Sequence, residues 1–376
     1  MLLNFLSRLE TVKQATTTEE LEAIWRLRYE VYVTELDKKF LANIDHQKKW
    51  IKDERDTHPD SLLCYTGTPD NIKGSLRIDT WAAEQIPEDV YKRFSLHLFP
   101  NLKDVNIAEV VRLVIPKKHR GLLITPALVR EVYKFSAIKK NVAYWFMYCA
   151  PGLVSAYNKM GYRPYAGDLI YNSDGVRIPM LCIGSDLEYL KKVGAPYTDI
   201  ATKHFGKTNT QLIIPIEQLL KEGLNYELSP EQVWLNLQET VLNTNAHNYT
   251  LMSTLSEESM QYLSQKGFLI DVVPNHKIVS QGLLEQEMFV ILSGCFEVTV
   301  NNKQVAILNK GELFGEMAFF LDTNKRTATV RSLTRGKLLV LRRKYINEIR
   351  TDNPALAVEL LLGVCKTLTG RLAKML

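Results

Sequence analysis

Gly315, Glu316, Arg326 and Thr327 have the types and spacing to hold an anion beside a hydroxyl group. They stand in the run Phe314, Gly315, Glu316, Met317, Ala318, followed ten residues beyond the glutamate by Arg326 and then Thr327. A glycine-led turn exposes backbone N–H groups to an anion. Arg326 can neutralise a phosphate, Glu316 can accept from a sugar hydroxyl, and Thr327 can bond a phosphate or a purine edge. A second set lies upstream. Glu109, inside an apolar run, can act as a proton acceptor, and Tyr157 offers a phenol that can donate a proton. Arg28, Asp53, Asp56, Arg77 and Arg112 supply opposite charges suited to a buried network. The same side chains also serve structure. Glu109 in an ion pair would order a sheet, Tyr157 could pack beneath one, and charges three residues apart are commonplace.

The elements that must position these groups follow from periodicity. A capping threonine and an acidic first turn open a helix near Thr18, carrying Ala23, Ile24 and Leu27. Strands are expected at 61–65, 72–78, 107–115 and 143–149, with a helix at about 125–138, an α/β or α+β pattern. A polar stretch at 205–250, with a helix start at Ser229, Pro230 and Glu231, reads as a helical connector. Short strands punctuated by Gly282, Gly294, Gly311, Gly315 and Gly336 read as a small barrel or jelly roll. The end is an amphipathic helix with Leu356, Leu360, Leu361, Val364 and Leu368 on one stripe.

Composition narrows the function classes. A chain of 376 residues suggests two or three domains. Its 47 basic and 42 acidic residues are spread along the chain, unlike the clustered basic face of a nucleic-acid binder. Five scattered cysteines without a Cys-x-x-Cys pair indicate neither a zinc site nor a disulfide framework, and no metal is expected. No apolar run reaches a membrane span, the N-terminus does not read as a signal peptide, and a cytoplasmic protein is expected.

The run from Phe314 to Thr327 resembles the phosphate-binding cassette of cyclic-nucleotide-binding domains, and the resemblance extends over about 254–376. It implies a regulatory nucleotide, cyclic AMP ahead of cyclic GMP, and a final helix that lids the base. With no room after it for a helix-turn-helix, a transcription factor is not expected.

Upstream, four patterns occur in order: Arg28 with Tyr32, Asp53 with Asp56, Gly74 with Arg77, and Glu109 with Arg112. Together they resemble the autoinducer (acyl-homoserine lactone) synthases and the related long-chain N-acyl amino acid synthases, over about residues 20–196. That resemblance implies a GNAT-like fold and acyl transfer from a thioester to an amine. It also implies that Glu109 takes the amine proton and that a tyrosine lies near the thioester sulfur; Tyr157 to Tyr162 match that pattern, which makes Tyr157 the candidate general acid. In the pyrophosphate loop Gly121 is kept, but Leu123 stands where a second small residue belongs. This favours acyl carrier protein over acyl-coenzyme A as donor, with Lys117, Lys118, Arg120, Lys139 and Lys140 as its dock, although such a run is by default a solvated face. Tyr32, followed by Thr34, Glu35 and Leu36, stands where the lactone synthases have a tryptophan, which shifts weight from S-adenosylmethionine to an amino acid or small amine as acceptor.

The reading is therefore a GNAT-like N-acyltransferase at 1–204, a helical connector at 205–250 and a β-roll cyclic-nucleotide-binding domain with flanking helices at 251–376. Two alternatives stay open: a nucleotide-regulated protein-lysine acetyltransferase using acetyl-coenzyme A, and a non-catalytic nucleotide-dependent binding module.

Overall fold

The computed structural model describes residues 2–36, 38, 43–120, 123–222, 251, 255–320 and 325–373. They fall into two units: 1–149, 153–168 and 179–221 in the first, and 150–152, 169–178 and 222–376 in the second.

The first unit is a mixed sheet with helices on both faces. Its strands are β1 (Val12–Gln14), β4 (Ser61–Thr68), β5 (Asn71–Trp81), β6 (Asn106–Val114), β7 (Val142–Cys149), β8 (Arg163–Pro164) and the end of β10 (Gly175–Ile183). They lie in the order β1-β4-β5-β6-β7-β10, with β8 paired to β10. A separate two-strand ladder joins β2 (Ile44–Asp45) to β3 (Trp50–Ile51). Side chains alternate between the two faces of a strand. Leu63 and Tyr65 point to one face, where Ile24 and Leu27 of helix Thr18–Tyr29 pack against them together with Val31. Thr17 and Glu20 close a capping box at that helix start, satisfying two orphan N–H groups. Leu62 and Cys64 point to the other face, beside Glu131 and Phe135 of helix Ile124–Lys140. Gly74 lets that helix approach, since a Cβ there would sit 2.7 Å from Ile124 Cγ2.

The second unit is a β-roll of two antiparallel sheets. One contains β11 (Phe268–Val272), β18 (Gly336–Arg342), β13 (Glu287–Ser293) and β16 (Leu313–Phe314), in the order β11-β18-β13-β16. The other runs β10-β12-β17-β14-β15, with β12 Lys277–Val279, β14 Phe296–Val300, β15 Lys303–Leu308 and β17 Thr329–Ser332. Strand β9 (Ile170–Asn172) forms a hairpin with the start of β10, and Gly175 pairs with Val279. Helices Glu257–Lys266 and Pro354–Ala373 cover the roll, burying Met260, Leu263, Leu356, Leu360 and Val364 with Leu269, Val290 and Leu339.

Leu361 departs from its expected stripe and is exposed. Leu356, Leu360 and Val364 repeat every four residues on one face, and Leu361 lies a further turn-quarter around the helix. In the expected connector, helices Thr210–Ile213 and Glu217–Glu222 are described. The helix start at Ser229, Pro230 and Glu231 lies outside the described residues. Among the described residues, no helix is long and apolar enough to cross a membrane, and no cluster of His, Cys, Asp or Glu could hold a metal ion.

Candidate functional site

Arg28, Asp53, Asp56, Arg77 and Arg112 meet in one network on the sheet face that carries helix Thr18–Tyr29. Arg28 Nη1 and Nη2 grip Asp56 at 2.6 and 2.7 Å, and Trp25 Nε1 donates to the same carboxylate at 2.8 Å. Arg77 Nη1 reaches Asp53 at 2.8 Å and Asp56 at 3.0 Å, while its Nη2 reaches Asp79 at 3.0 Å. Arg112 Nη2 donates to Asp53 Oδ2 at 2.9 Å, and Arg55 Nε lies 3.4 Å from Asp79. Four guanidinium groups thus face three carboxylates. Burial acts to raise the Asp53 pKa, but Arg77 and Arg112 overcome it and hold the group at about 2. Asp56 is likewise lowered, with Arg28 and Arg77 outweighing burial.

Two expectations follow. Arg28 is 0% exposed, so Asp56→Ala strands a buried cation and should cost about 3–5 kcal/mol, read from urea unfolding by circular dichroism. Both carboxylates titrate lower in the fold than in the unfolded chain. Their stabilisation is therefore complete above the ordinary carboxylate range near ~4 and is lost on acidification, for Asp53 through about 2.

Glu109 faces Asp79 across the β5–β6 ladder and lies on the same side of the sheet. Its Oε1 accepts from Arg93 Nη1 at 2.6 Å, and it is 4% exposed. Burial pushes its pKa up, against the pull of Arg93. Glu109 is also the last residue of β6 in register with the parallel strand β7, opposite Phe146. Beyond it β6 bulges: Val111 pairs with Arg77, the next registered pair is Val114 with Ser75, and Arg112 has φ of +55°. Past Glu109 the two strands therefore have no registered pairs among the described residues.

Tyr157 follows β7, in helix Val154–Asn158, and is half-buried. Burial raises its phenol pKa, with Cys149 and Tyr32 adding to the rise. Tyr32 also acts on Arg112. Tyr157 and Arg112 are thus both within electrostatic reach of Tyr32, whereas no hydrogen bond or ion pair joins Tyr157 to Glu109.

The expected donor dock divides. Glu35 accepts from the Lys117 backbone N–H and pairs with Arg120 at 2.9 Å, so Arg120 is engaged in holding the turn. The side chains of Lys117 and Lys118 are exposed. Lys139 and Lys140 end the 17-residue helix that Lys117–His119 precedes, and a helix of that length sets the two groups roughly 25 Å apart. They do not form one patch, and Lys140 is paired with Asp60 at 2.9 Å. Gly121 lies outside the described residues, and Leu123 occupies the N-cap without a side-chain hydrogen bond.

In the second unit, Gly315 has φ of +87°, where glycine is favoured, and a Cβ there would press on Arg326 Nη1. Arg326 is buried. Its Nη1 donates to the carbonyls of Glu287 and Gly315 at 2.7 and 3.1 Å, its Nη2 lies 3.2 Å from Glu287 Oε2, and its Nε is buried without a partner among the described residues. Glu316 is buried 3.7 Å from Arg371 of helix Pro354–Ala373. Burial raises its pKa, opposed by its own backbone N–H, Arg371 and Arg326. Thr327 Oγ1 lies 3.3 Å from Met317 Sδ, Phe314 stacks on Phe289 at 4.8 Å, and Ala318 is buried. An orphaned guanidinium N–H beside a glycine cradle fits a phosphate, and the buried carboxylate of Glu316 fits a ribose hydroxyl.

Residues 269–353 match the family model of the cyclic nucleotide-binding domain. This segment is a cyclic nucleotide-binding domain. It is similar to the cGMP-dependent protein kinase of Plasmodium berghei, 36% identical over 91 residues, 24% of this chain and 10% of that protein. It is also similar to the cAMP-dependent protein kinase type II regulatory subunit of Drosophila melanogaster, 31% identical over 112 residues, 30% of this chain and 29% of that protein. The chain thus spans less than a third of the length of these curated relatives. Among solved structures, a neighbour is FeeM, an N-acyl amino acid synthase from uncultured soil microbes. It is 15% identical with a TM-score of 0.35, covering 46% of this chain and 90% of that one.

Several residues of these sites escape a reading of the sequence alone. Asp79 was within reach, since it stands two residues from Arg77 on the same strand face. Arg93 and Trp25 carry no local signal, because their partners Glu109 and Asp56 are distant in sequence. In the cyclic nucleotide-binding domain, Glu287 is the missed residue, and its carboxylate pairs with Arg326.

Proposed function

We propose that the chain is an N-acyltransferase with a GNAT-like first unit, controlled by a cyclic nucleotide bound in its second. The observation that carries the catalytic part is Glu109, buried at the last registered pair of β6 with β7, on the sheet face that holds the arginine–aspartate network. An extended thioester arm laid along the strands past that pair would bring its carbonyl to an amine held by the network. Glu109 takes the amine proton, directly or through water, as the nitrogen attacks the thioester carbon. The new C–N bond forms, the C–S bond breaks, and the sulfur leaves as a thiolate. Its raised pKa keeps Tyr157 protonated at neutral pH. The phenol therefore hydrogen-bonds the departing sulfur, which takes its proton from solvent.

Four guanidiniums against three carboxylates favour an acceptor that brings a negative charge, which supports an amino acid over a neutral amine. For the donor, Leu123 and the exposed Lys117 and Lys118 support an acidic carrier protein. Charge reversal at Lys117 and Lys118 should raise KM for an acyl carrier protein donor about 3–10-fold and weaken its salt dependence. Free acyl-coenzyme A used equally well by the unaltered enzyme would contradict that assignment.

The test of the reading is amide formation, followed by mass spectrometry, from acyl carrier protein and acyl-coenzyme A donors with a panel of amino acids and amines. Acylated amino acid is the expected product. Acetylated lysine peptides alone would select a protein acetyltransferase, and no product from any pair would remove the catalytic reading.

A further inference from the structure

The nucleotide site draws on residues outside the matched segment 269–353. Hairpin β9–β10 belongs to the same unit as the roll: Ser280 Oγ donates to the Ser173 carbonyl at 2.8 Å, and the rings of Tyr171 and His276 lie 4.2 Å apart. The hairpin brings in Arg177, which is buried. Its Nη2 pairs with Glu285 at 2.9 Å and lies 3.5 Å from Asp174, while its Nη1 donates to the Val176 carbonyl at 2.9 Å. Glu285 stands two residues before Glu287, the carboxylate on Arg326. A third segment of this unit, 150–152, packs here too, since a Cβ at Gly152 would run into the Glu287 carboxylate.

We infer that Arg177 is a positioning residue for cyclic-nucleotide recognition, acting through Glu285 and Glu287 on Arg326. The inference rests on the proposed binding of a cyclic nucleotide in this unit. Two carboxylates, the half-buried Glu285 and the buried Glu287, share two guanidiniums, Arg177 and Arg326. An entering phosphate adds a third anion and must take Arg326 from Glu287. It can do so only while Arg177 neutralises Glu285. Without Arg177, Glu285 faces Arg326 as a second competitor that solvent screens only in part. Glu287 competes directly, so its loss has the opposite effect. Among the described residues, Asp174, Glu316, Arg371 and its partner Glu312 also belong to the cluster and are unchanged in either variant.

The experiment is calorimetric titration of the full chain with cyclic AMP and cyclic GMP. Arg177→Gln should weaken binding about 10–30-fold, and Glu287→Gln should tighten it about 10-fold. Arg177→Lys keeps the charge and should stay within about threefold of the parent. The double variant R177Q/E285Q should recover to a similar level, since the uncompensated carboxylate is gone. If the parent binds nucleotide and R177Q binds it equally well, the inference is overturned and the binding reading stands. The same holds if R177K loses as much as R177Q, or if the double variant fails to recover, because Arg177 would then be structural. If neither nucleotide binds the parent below about millimolar concentration, the binding reading fails and takes the inference with it.

Discussion

Glu109→Gln lowers kcat for amide formation by about 10²–10⁴-fold while leaving the fold intact. The substitution keeps the shape of the side chain and a carbonyl oxygen for Arg93, so the contact at 2.6 Å survives as a neutral–charged hydrogen bond. What it removes is the proton acceptor. Burial raises the Glu109 pKa toward the working pH, which makes the carboxylate a stronger base than an exposed glutamate. KM for the acceptor should change little, because the network on Asp53 and Asp56 is untouched. Single-turnover kinetics with a saturating donor separate the two quantities. An unchanged kcat with an unchanged melting temperature would assign Glu109 to the ordering of β6 through Arg93.

Arg326→Ala abolishes most of the nucleotide affinity. Truncating one partner of a buried charge pair costs about 2–5 kcal/mol, which is roughly 30–4,000-fold in Kd. Two terms act together here. The phosphate loses its guanidinium, and the Glu287 carboxylate, formerly paired at 3.2 Å, faces the phosphate uncompensated. Arg326→Lys should recover only part of the loss, because the ammonium cannot hold the Glu287 and Gly315 carbonyls and the phosphate together. Calorimetry measures both variants. Parent-like affinity in Arg326→Ala would mean that the phosphate is held elsewhere.

The sequence was most legible where function is local. Between Phe314 and Thr327 the described residues include the turn at Gly315, the short helix Glu316–Phe320 and Arg326, and the motif depends on spacing along the chain. Strand β6, expected at 107–115, runs Asn106–Val114, because a short, near-continuous apolar run rich in valine and isoleucine favours a strand. The charge network was legible as residue types but not as pairs. That Arg28 grips Asp56 while Arg77 bridges Asp53, Asp56 and Asp79 depends on helix Thr18–Tyr29 lying over β5, which no local pattern encodes. The bulge at Arg112 was invisible for the opposite reason. Arginine is an unusual residue at positive φ, and nothing in its neighbours signals the turn. Basic residues near one another in composition were read as one dock, yet a 17-residue helix separates them. Arg177 could not have been linked to Arg326 at all, because hairpin β9–β10 precedes the roll by about a hundred residues and joins it only through tertiary pairing.

The central claim is that one chain couples a nucleotide site to acyl transfer, and the initial rate of amide formation across a nucleotide titration tests it most directly. With donor and acceptor held near their KM values, the rate should change by roughly 5–150-fold, as expected for a coupling of ~1–3 kcal/mol. The midpoint should coincide with the calorimetric Kd of the same nucleotide, and the response should vanish in Arg326→Ala. A rate that stays flat while calorimetry shows the site filling would contradict the account.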